Sequence, residues 1–489
     1  MPMLTPPKPD ARRPKDPHVP APLTATPPDH APWIPSPVTP TRDRRLRDPY
    51  LLAAALFTAY AALSVCRYRH LATRSWDLGI FEQAVRAYAH LQAPVADLKG
   101  PGFNILGDHF SPVIALLAPA YRLFPTPVTL LVAQAALFAL SAVPVTRAAA
   151  GLLGRARGLA LGMAYGLSWG IQRAVDFDFH EICFAVPLIA FSLEAVLAHR
   201  WRRALLWALP LVLVKEDLGL TLAAIALVVA LRARRPAPRA ALYALTVAAF
   251  GVLAAVLTFT VLIPAFNTTD SYEYWDKVGG GPLTGIDAKL HTLAWLLIPT
   301  TGLLALRSPL LLVALPTLTW RFLSSDEHYW GTDWHYSAVL MPVFSLALAD
   351  ALARTRYSPR PWLRSYALHL PAASVAAALA LTTTLPLSVL TEPDAYRKPA
   401  RVSAVERMLA LIPDGASVEA NTGPGSRLTS RCRVFWVGRT DGIAPDFIAL
   451  DNKSGWVKDV QAYARQLHPH AEYEVTGAAY GYVLLERRR

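Results

Sequence analysis

Cysteine is almost missing from this chain. Its 489 residues hold three, Cys66, Cys183 and Cys432, far apart and without a CxxC pair, which supports neither a disulfide framework nor a metal knuckle. Charge is scarce as well. Only 17% of residues are Asp, Glu, Lys or Arg, where a soluble protein carries about a quarter. The opening 48 residues lack the apolar core of a signal peptide. The net charge of +13 comes with no nucleic-acid-binding motif, so the basic residues need another explanation.

Apolar residues are abundant instead, at 53%, with a mean hydropathy of +0.30. They fall in blocks of membrane-spanning length rather than in strand or amphipathic-helix periods. The fold class is therefore a polytopic α-helical membrane protein. Runs near 50–66, 127–148, 156–174, 182–198, 203–214, 217–232, 239–264, 290–306, 308–322, 336–353 and 368–390 give about eleven transmembrane helices. The pair within 203–232 reads either as two spans or as a re-entrant unit. Before the first run, residues 1–48 are Pro-rich and poor in aliphatic clusters, the composition of a disordered cytoplasmic head.

The charges then sort by side. Connections at 147–157, 199–203, 232–239, 307 and 354–364 hold 15 Arg and no Asp or Glu. The alternate connections at 173–181, 215–217, 265–290 and 323–335 hold 12 acidic residues and 4 basic ones. Positive loops stay in the cytoplasm. The N-terminus is thus expected inside, the acidic loops outside, and the tail from about 391 outside also, with the chain as a multi-pass protein of the cell membrane.

The acidic side carries the chemistry-bearing residues. In "VDFDFHEICF" (175–184), Asp176, Asp178, His180 and Glu181 crowd into six positions between apolar runs. The long connection 67–126 contains "SWDLGIFEQAVRAYAHL", whose Trp76, Ile80, Phe81, Ala84, Val85 and Tyr88 share one helical face. Asp77, Glu82, Gln83 and Arg86 occupy the rest. This pattern predicts a helix lying flat in the membrane interface, capped by Ser75. "GDHFSPVIALLAPAYRLFP" (107–125) follows, with Asp108 and His109 before a second helix capped by Ser111. "KED" (Lys215, Glu216, Asp217), the loop bearing Glu273, Trp275 and Asp276, and "SSDEHYWGTDWHY" with His335 complete the set. Carboxylates serve as general bases or hold a divalent cation, and His, Lys and Arg grip phosphate. The bland readings are a helix-start charge for Asp77, interfacial anchors for Trp and Tyr, and a satisfied buried histidine for His180.

Residues 391–489 change character. A helix at 402–411, the runs "SVEA", "RVFWV" and "FIALD", a helix at 456–467 and a closing hairpin predict a small α/β domain. "NTGPGSR" lacks the glycine spacing of a phosphate loop and reads as a turn. The expected organisation is a head (1–48), a transmembrane domain (49–390) that includes the 67–126 loop, and an extracytoplasmic α/β domain (391–489) over the acidic mouth.

Together, "SWDLGIFEQA", "LGDHFSPVIALLAPAYRLFPTP", "FDFHE", "KEDLGL" and "IPDGASVEAN" resemble the bacterial membrane-protein family known as domain of unknown function 2079. That family in turn is similar to the GT-C superfamily of polyprenyl-phosphate-sugar glycosyltransferases. The resemblance implies an extracytoplasmic first loop with two interfacial helices and a catalytic acid at its start, the place Asp77 occupies. The superfamily often has adjacent acids there, whereas Leu78 follows Asp77 here. Asp108, with His109, is then the candidate for the second catalytic acid.

The reading implied is a glycosyltransferase that moves a sugar from a polyprenyl-phosphate donor to an envelope acceptor in the lipid bilayer. Asp178, His180, Glu181, Lys215, Glu216, Asp217 and His335 are the candidate substrate-binding residues. No cofactor is required by the sequence beyond a candidate divalent cation. The alternative is a membrane transporter or lipid flippase with an outward-facing acidic site. The sidedness has a direct check. A cysteine introduced in the tail is expected to react with an impermeant reagent on intact cells, and labelling only after permeabilisation would put the span count wrong by an odd number.

Overall fold

The computed structural model describes residues 47–267, 277, 279–281 and 283–488. The expected disordered head, Glu273, Trp275 and Asp276 lie outside the described residues.

All eleven apolar runs fold as helix, but not all as unbroken rods. Among the described residues, five helices are long and apolar enough to cross a membrane: Asp48–Arg69, Pro127–Leu153, Pro238–Phe266, His335–Thr355 and Pro361–Thr382. The others are shorter or interrupted. The 156–174 run divides into Arg155–Gly166 and Trp169–Asp176. The 290–306 run breaks between Ile286–Thr301 and Leu304–Arg307, where Gly302 and Leu303 both take positive φ.

The first helix, α1 (Asp48–Arg69), shows why the ends fall where they do. Pro49 at its start needs no intrahelical N–H partner, Asp48 meets the positive end of the helix dipole, and Arg67 and Arg69 meet the negative end. At one end of the bundle, arginines from the basic connections pair with acids at neighbouring helix ends. Arg155 binds Asp48 at 2.5 Å, Arg147 binds Glu194 at 2.6 Å, and Arg232 binds Asp350 at 2.6 Å.

Helices Leu218–Ala233 and Pro238–Leu257 pack closely because each offers glycine at the crossing. A Cβ on Gly219 would stand 2.5 Å from the Gly251 carbonyl oxygen, and one on Gly251 would stand 2.6 Å from that of Gly219. Only a bare backbone fits on either side.

The α/β region has five strands: β1 (Ser417–Ala420), β2 (Arg433–Trp436), β3 (Phe447–Asp451), β4 (Tyr473–Ala479) and β5 (Tyr482–Arg487). Their order is β2-β1-β3-β5-β4. The first three are parallel, and β5 and β4 complete the sheet antiparallel. "NTGPGSR", expected as a turn, instead forms the helix Thr422–Leu428. A parallel β1-to-β2 crossover has to reverse direction, and Pro424 costs nothing in a first turn whose N–H groups lack partners.

This sheet docks on the second helix, α2 (Asp77–Ala89). The polar face of α2, expected to meet water at the membrane interface, is covered by protein: Glu82 and Gln83 are buried along with Leu78, Phe81 and Val85. Gln83 donates to the Val434 carbonyl at 2.9 Å, and Arg86 donates to those of Thr429 and Cys432 at 2.7 and 2.9 Å. Arg433 forks onto Asp97 with two 2.9 Å bonds.

Overpacking the glycine crossing should cost about 1–3 kcal/mol. Gly251→Leu is expected to lower the thermal midpoint of the detergent-solubilised protein. Leu253→Phe, on an outward position of the same helix, should leave it unchanged.

Candidate functional site

The end of the bundle opposite the Asp48, Glu194 and Asp350 pairs gathers most of the acids. Its centre is Glu181, fully buried just before the helix Ala185–Leu197. Lys215 donates to Glu181 Oε1 at 2.9 Å, and His180 Nδ1 lies 2.6 Å from Oε2. Burial works to raise the Glu181 pKa, but the charges of His180 and Lys215 prevail and hold it well below the ordinary value. Lys215 is correspondingly held above its own ordinary value, against the effect of burial.

The cluster continues on both sides. Next to Lys215, Glu216 is buried and its Oε1 lies 2.9 Å from His109 Nδ1. Burial and the nearby Lys215 both disfavour a positive His109, yet Glu216 and Asp108 raise its pKa above the ordinary value. Asp108, also buried, lies 3.1 Å from Lys99 Nζ. On the far side of Glu181, the His180 ring stacks on His335 at 3.7 Å between centroids. Phe177 packs against His335 at 4.4 Å. His109, Glu216, Lys215, Glu181, His180 and His335 thus form one continuous contact chain, and Asp217 sits half-buried beside it.

Asp178 joins through its backbone. Gln134 donates to the Asp178 carbonyl and accepts the His180 N–H at 3.0 Å. Asp178 takes φ +80, in the left-handed region that costs a non-glycine residue strain. Its side chain accepts the Arg74 N–H at 2.8 Å, and burial pushes its carboxyl up to about 7 against that bond.

Asp77 stands apart. It is half-buried in the first turn of α2, where the Ser75 hydroxyl donates to Asp77 Oδ2 at 3.0 Å and accepts the Asp77 N–H at 3.1 Å. The N-cap position falls on Trp76 and not on Ser75 as expected, and Ser75 bonds the first helical residue from one position further out. Ser111 does not cap its segment; its hydroxyl donates back to the His109 carbonyl at 3.3 Å.

Asp176 is legible in the sequence as a member of the acidic cluster but without a partner, and Gln134 and Lys99 escape sequence reasoning. Asp176 is locked between Arg67 at 2.9 Å and Arg74 at 2.7 Å, binding the end of α1 to the acidic cluster. Gln134 had a visible signal, as a lone amide within the apolar run "VTLLVAQAALFAL". Lys99 had none, because nothing local marks a lysine that swings under Trp76. Among the described residues no group of three His, Cys, Asp or Glu is arranged to hold a metal ion. Lys215, Lys99, Arg67 and Arg74 engage the acids.

A family model described as "Predicted membrane protein (DUF2079)" matches residues 67–484. The chain belongs to that family. No curated protein sequence matches it. Among solved structures, it is similar to ArnT from Cupriavidus metallidurans bound to undecaprenyl phosphate, with TM-score 0.56 and 12% identity over 90% of this chain and 98% of that one. The arabinosyltransferase EmbB from Mycobacterium smegmatis matches with TM-score 0.41 and 12% identity, over 72% of this chain and 42% of that one. The likeness to ArnT shows a GT-C fold for this member of the family.

Two outcomes follow from these charges. Lys215→Met leaves Glu181 buried without its lysine and should cost about 3–5 kcal/mol. Adding Glu181→Gln should recover part of that loss in thermal unfolding. The second outcome is pH dependence. Burial pushes the Glu82 carboxyl up to about 7 despite bonds from Thr429 and Tyr121. The folded chain then holds a proton that the unfolded chain releases near the ordinary value of 4.5, so stability is lost as pH rises through about 7. Asp178 acts with the same sign. The thermal midpoint should fall from about pH 5 to about pH 8, and Glu82→Gln should remove part of that fall. An unchanged slope in Glu82→Gln would place its origin elsewhere.

Proposed function

We propose that this protein is an integral-membrane glycosyltransferase that moves a sugar from a polyprenyl-phosphate donor to an extracytoplasmic acceptor. The observation that carries the reading is the contrast between Asp77 and the four acids that are paired with cations. Asp108, Asp176, Glu181 and Glu216 are each held by a basic side chain. Asp77 is half-buried, bonded by Ser75, and in no ion pair among the described residues. A general base needs a carboxylate free to accept a proton, and the fold likeness to ArnT supports that assignment.

In the reaction, an acceptor hydroxyl oxygen attacks the anomeric carbon of the donor sugar while Asp77 takes the hydroxyl proton. The bond from that carbon to the phosphate oxygen breaks, and the lipid phosphate leaves carrying the electron pair. Attack opposite the leaving group inverts the anomeric centre. Asp108 with His109 is the second acidic element beside this step. Asp178, His180, Glu181, Lys215, Glu216, Asp217 and His335 form the wall that orients the acceptor. In this arrangement Lys215 is spent on Glu181, so the departing phosphate requires another cation. The acidic end lies outside the cell membrane in this reading, and the donor lipid enters between helices.

Asp77→Asn tests the assignment. Asn keeps the size of Asp and much of its capping ability, losing only about 0.3–1 kcal/mol of dipole interaction. A general base contributes ~10²–10⁴-fold in rate. The variant should insert and accumulate normally yet lose sugar transfer in membranes by that factor. Full activity in well-expressed Asp77→Asn would return the residue to helix capping and favour the transport reading.

A further inference from the structure

The α/β domain delivers one cation to the neighbourhood of Asp77. The Arg439 guanidinium carbon lies 5.2 Å from the ring centroid of Trp76, the residue immediately before Asp77. The same indole meets Lys99 Nζ at 5.6 Å and the edge of Trp436 at 4.9 Å. The two cations are in different circumstances. Lys99 is buried against Asp108, whereas Arg439 is exposed and, among the described residues, has no carboxylate partner.

An exposed arginine is ordinarily a mobile, solvated side chain. This one stands on a built turn. Gly438 takes φ +81, and its N–H donates to Glu419 Oε1 at 2.6 Å. Glu419 is fully buried on β1, with its other oxygen 2.6 Å from His468 Nε2. The Arg439 N–H closes the turn on the Trp436 carbonyl at 2.9 Å. A buried acid–histidine pair is a poor source of stability because desolvation offsets its attraction. Its structural result here is to fix the turn that holds Arg439 over Trp76.

We infer that Arg439 binds the phosphate of the lipid-linked donor, so that the C-terminal domain supplies part of the site. This rests on the glycosyltransferase reading above. A planar guanidinium pairs with phosphate oxygens through two parallel N–H bonds, and stacking on an indole leaves those edges available. It also supplies the cation that the departing phosphate needs once Lys215 is committed to Glu181.

The test uses the purified full-length protein in detergent, with farnesyl phosphate and farnesol as probes. Wild type should bind the phosphate in preference to the alcohol. Arg439→Gln should weaken phosphate binding about tenfold or more, the range expected for a lost charge-assisted bond, with farnesol binding unchanged. Arg439→Lys should recover part of the loss. Arg465→Gln, an equal change of charge at an exposed site on the helix Val460–Leu467, should bind as wild type. Wild-type phosphate binding by Arg439→Gln would overturn the inference and leave the proposed function standing. Equal weakening in Arg465→Gln would overturn it also, by reducing the effect to net charge. A wild type that does not prefer phosphate to alcohol would bring down the lipid-phosphate reading itself.

Discussion

A carboxylate cannot be left alone inside an apolar bundle, and Glu181 is fully buried in one. Its neutralisation is the constraint around which this end of the molecule is assembled. Lys215 comes to it from another segment, His180 is its own neighbour in the chain, and each then settles further residues. Lys215 fixes the "KED" turn, which brings Glu216 to His109. His180 stacks on His335, drawing in the last acidic connection. Removing one partner from such a set leaves an uncompensated buried charge, so the segments move together or not at all. The acidic residues of the sequence are therefore largely structural in their immediate contacts, whatever chemistry they border.

A second constraint comes from the C-terminal domain. Residues 426–439 contact the loop that carries Asp77 through Thr73, Glu82, Gln83, Arg86, Asp97 and Trp76. These bonds satisfy a helix face that would otherwise need water. The placement of α2, and with it Asp77, depends on strands more than 300 positions later in the chain. Gln83 and Arg86 bond main-chain carbonyls of the domain, while Ser426, Thr429 and Arg433 contribute their side chains.

Much of this was legible in the sequence. Hydropathy located all eleven apolar runs, because each must be helical to satisfy its own backbone in lipid. The acids at run boundaries pointed to one end of the bundle, since the connections alternate. Local patterns could not reveal the breaks at Leu167–Ser168 and Gly302–Leu303, nor the partners of each acid. Those depend on contacts between residues far apart, such as Arg67 with Asp176 and Lys99 with Asp108. The amphipathic pattern of α2 was visible, but its solvent was misread: Glu82 and Gln83 face protein, and periodicity cannot distinguish a wet polar face from one hydrogen-bonded to another domain.

The fold and the proposed chemistry place opposite demands on these carboxylates. Stability calls for every buried acid to be paired, since an unpaired one costs several kcal/mol. A base calls for an acid with a free oxygen. Depth sorts these acids only in part: fully buried Glu82 and Asp178 are held by hydrogen bonds instead of ion pairs, and half-buried Asp217, like Asp77, is in no ion pair among the described residues. The fully buried acids Glu181, Glu216, Asp108 and Asp176 are paired, and the half-buried Asp77 has only a serine. Solvent access removes most of the penalty for leaving Asp77 unpaired, and the positive end of α2 stabilises its charge without occupying its proton-accepting oxygen. Asp77 is thus left without a cationic partner among the described residues, beside an indole that two cations share.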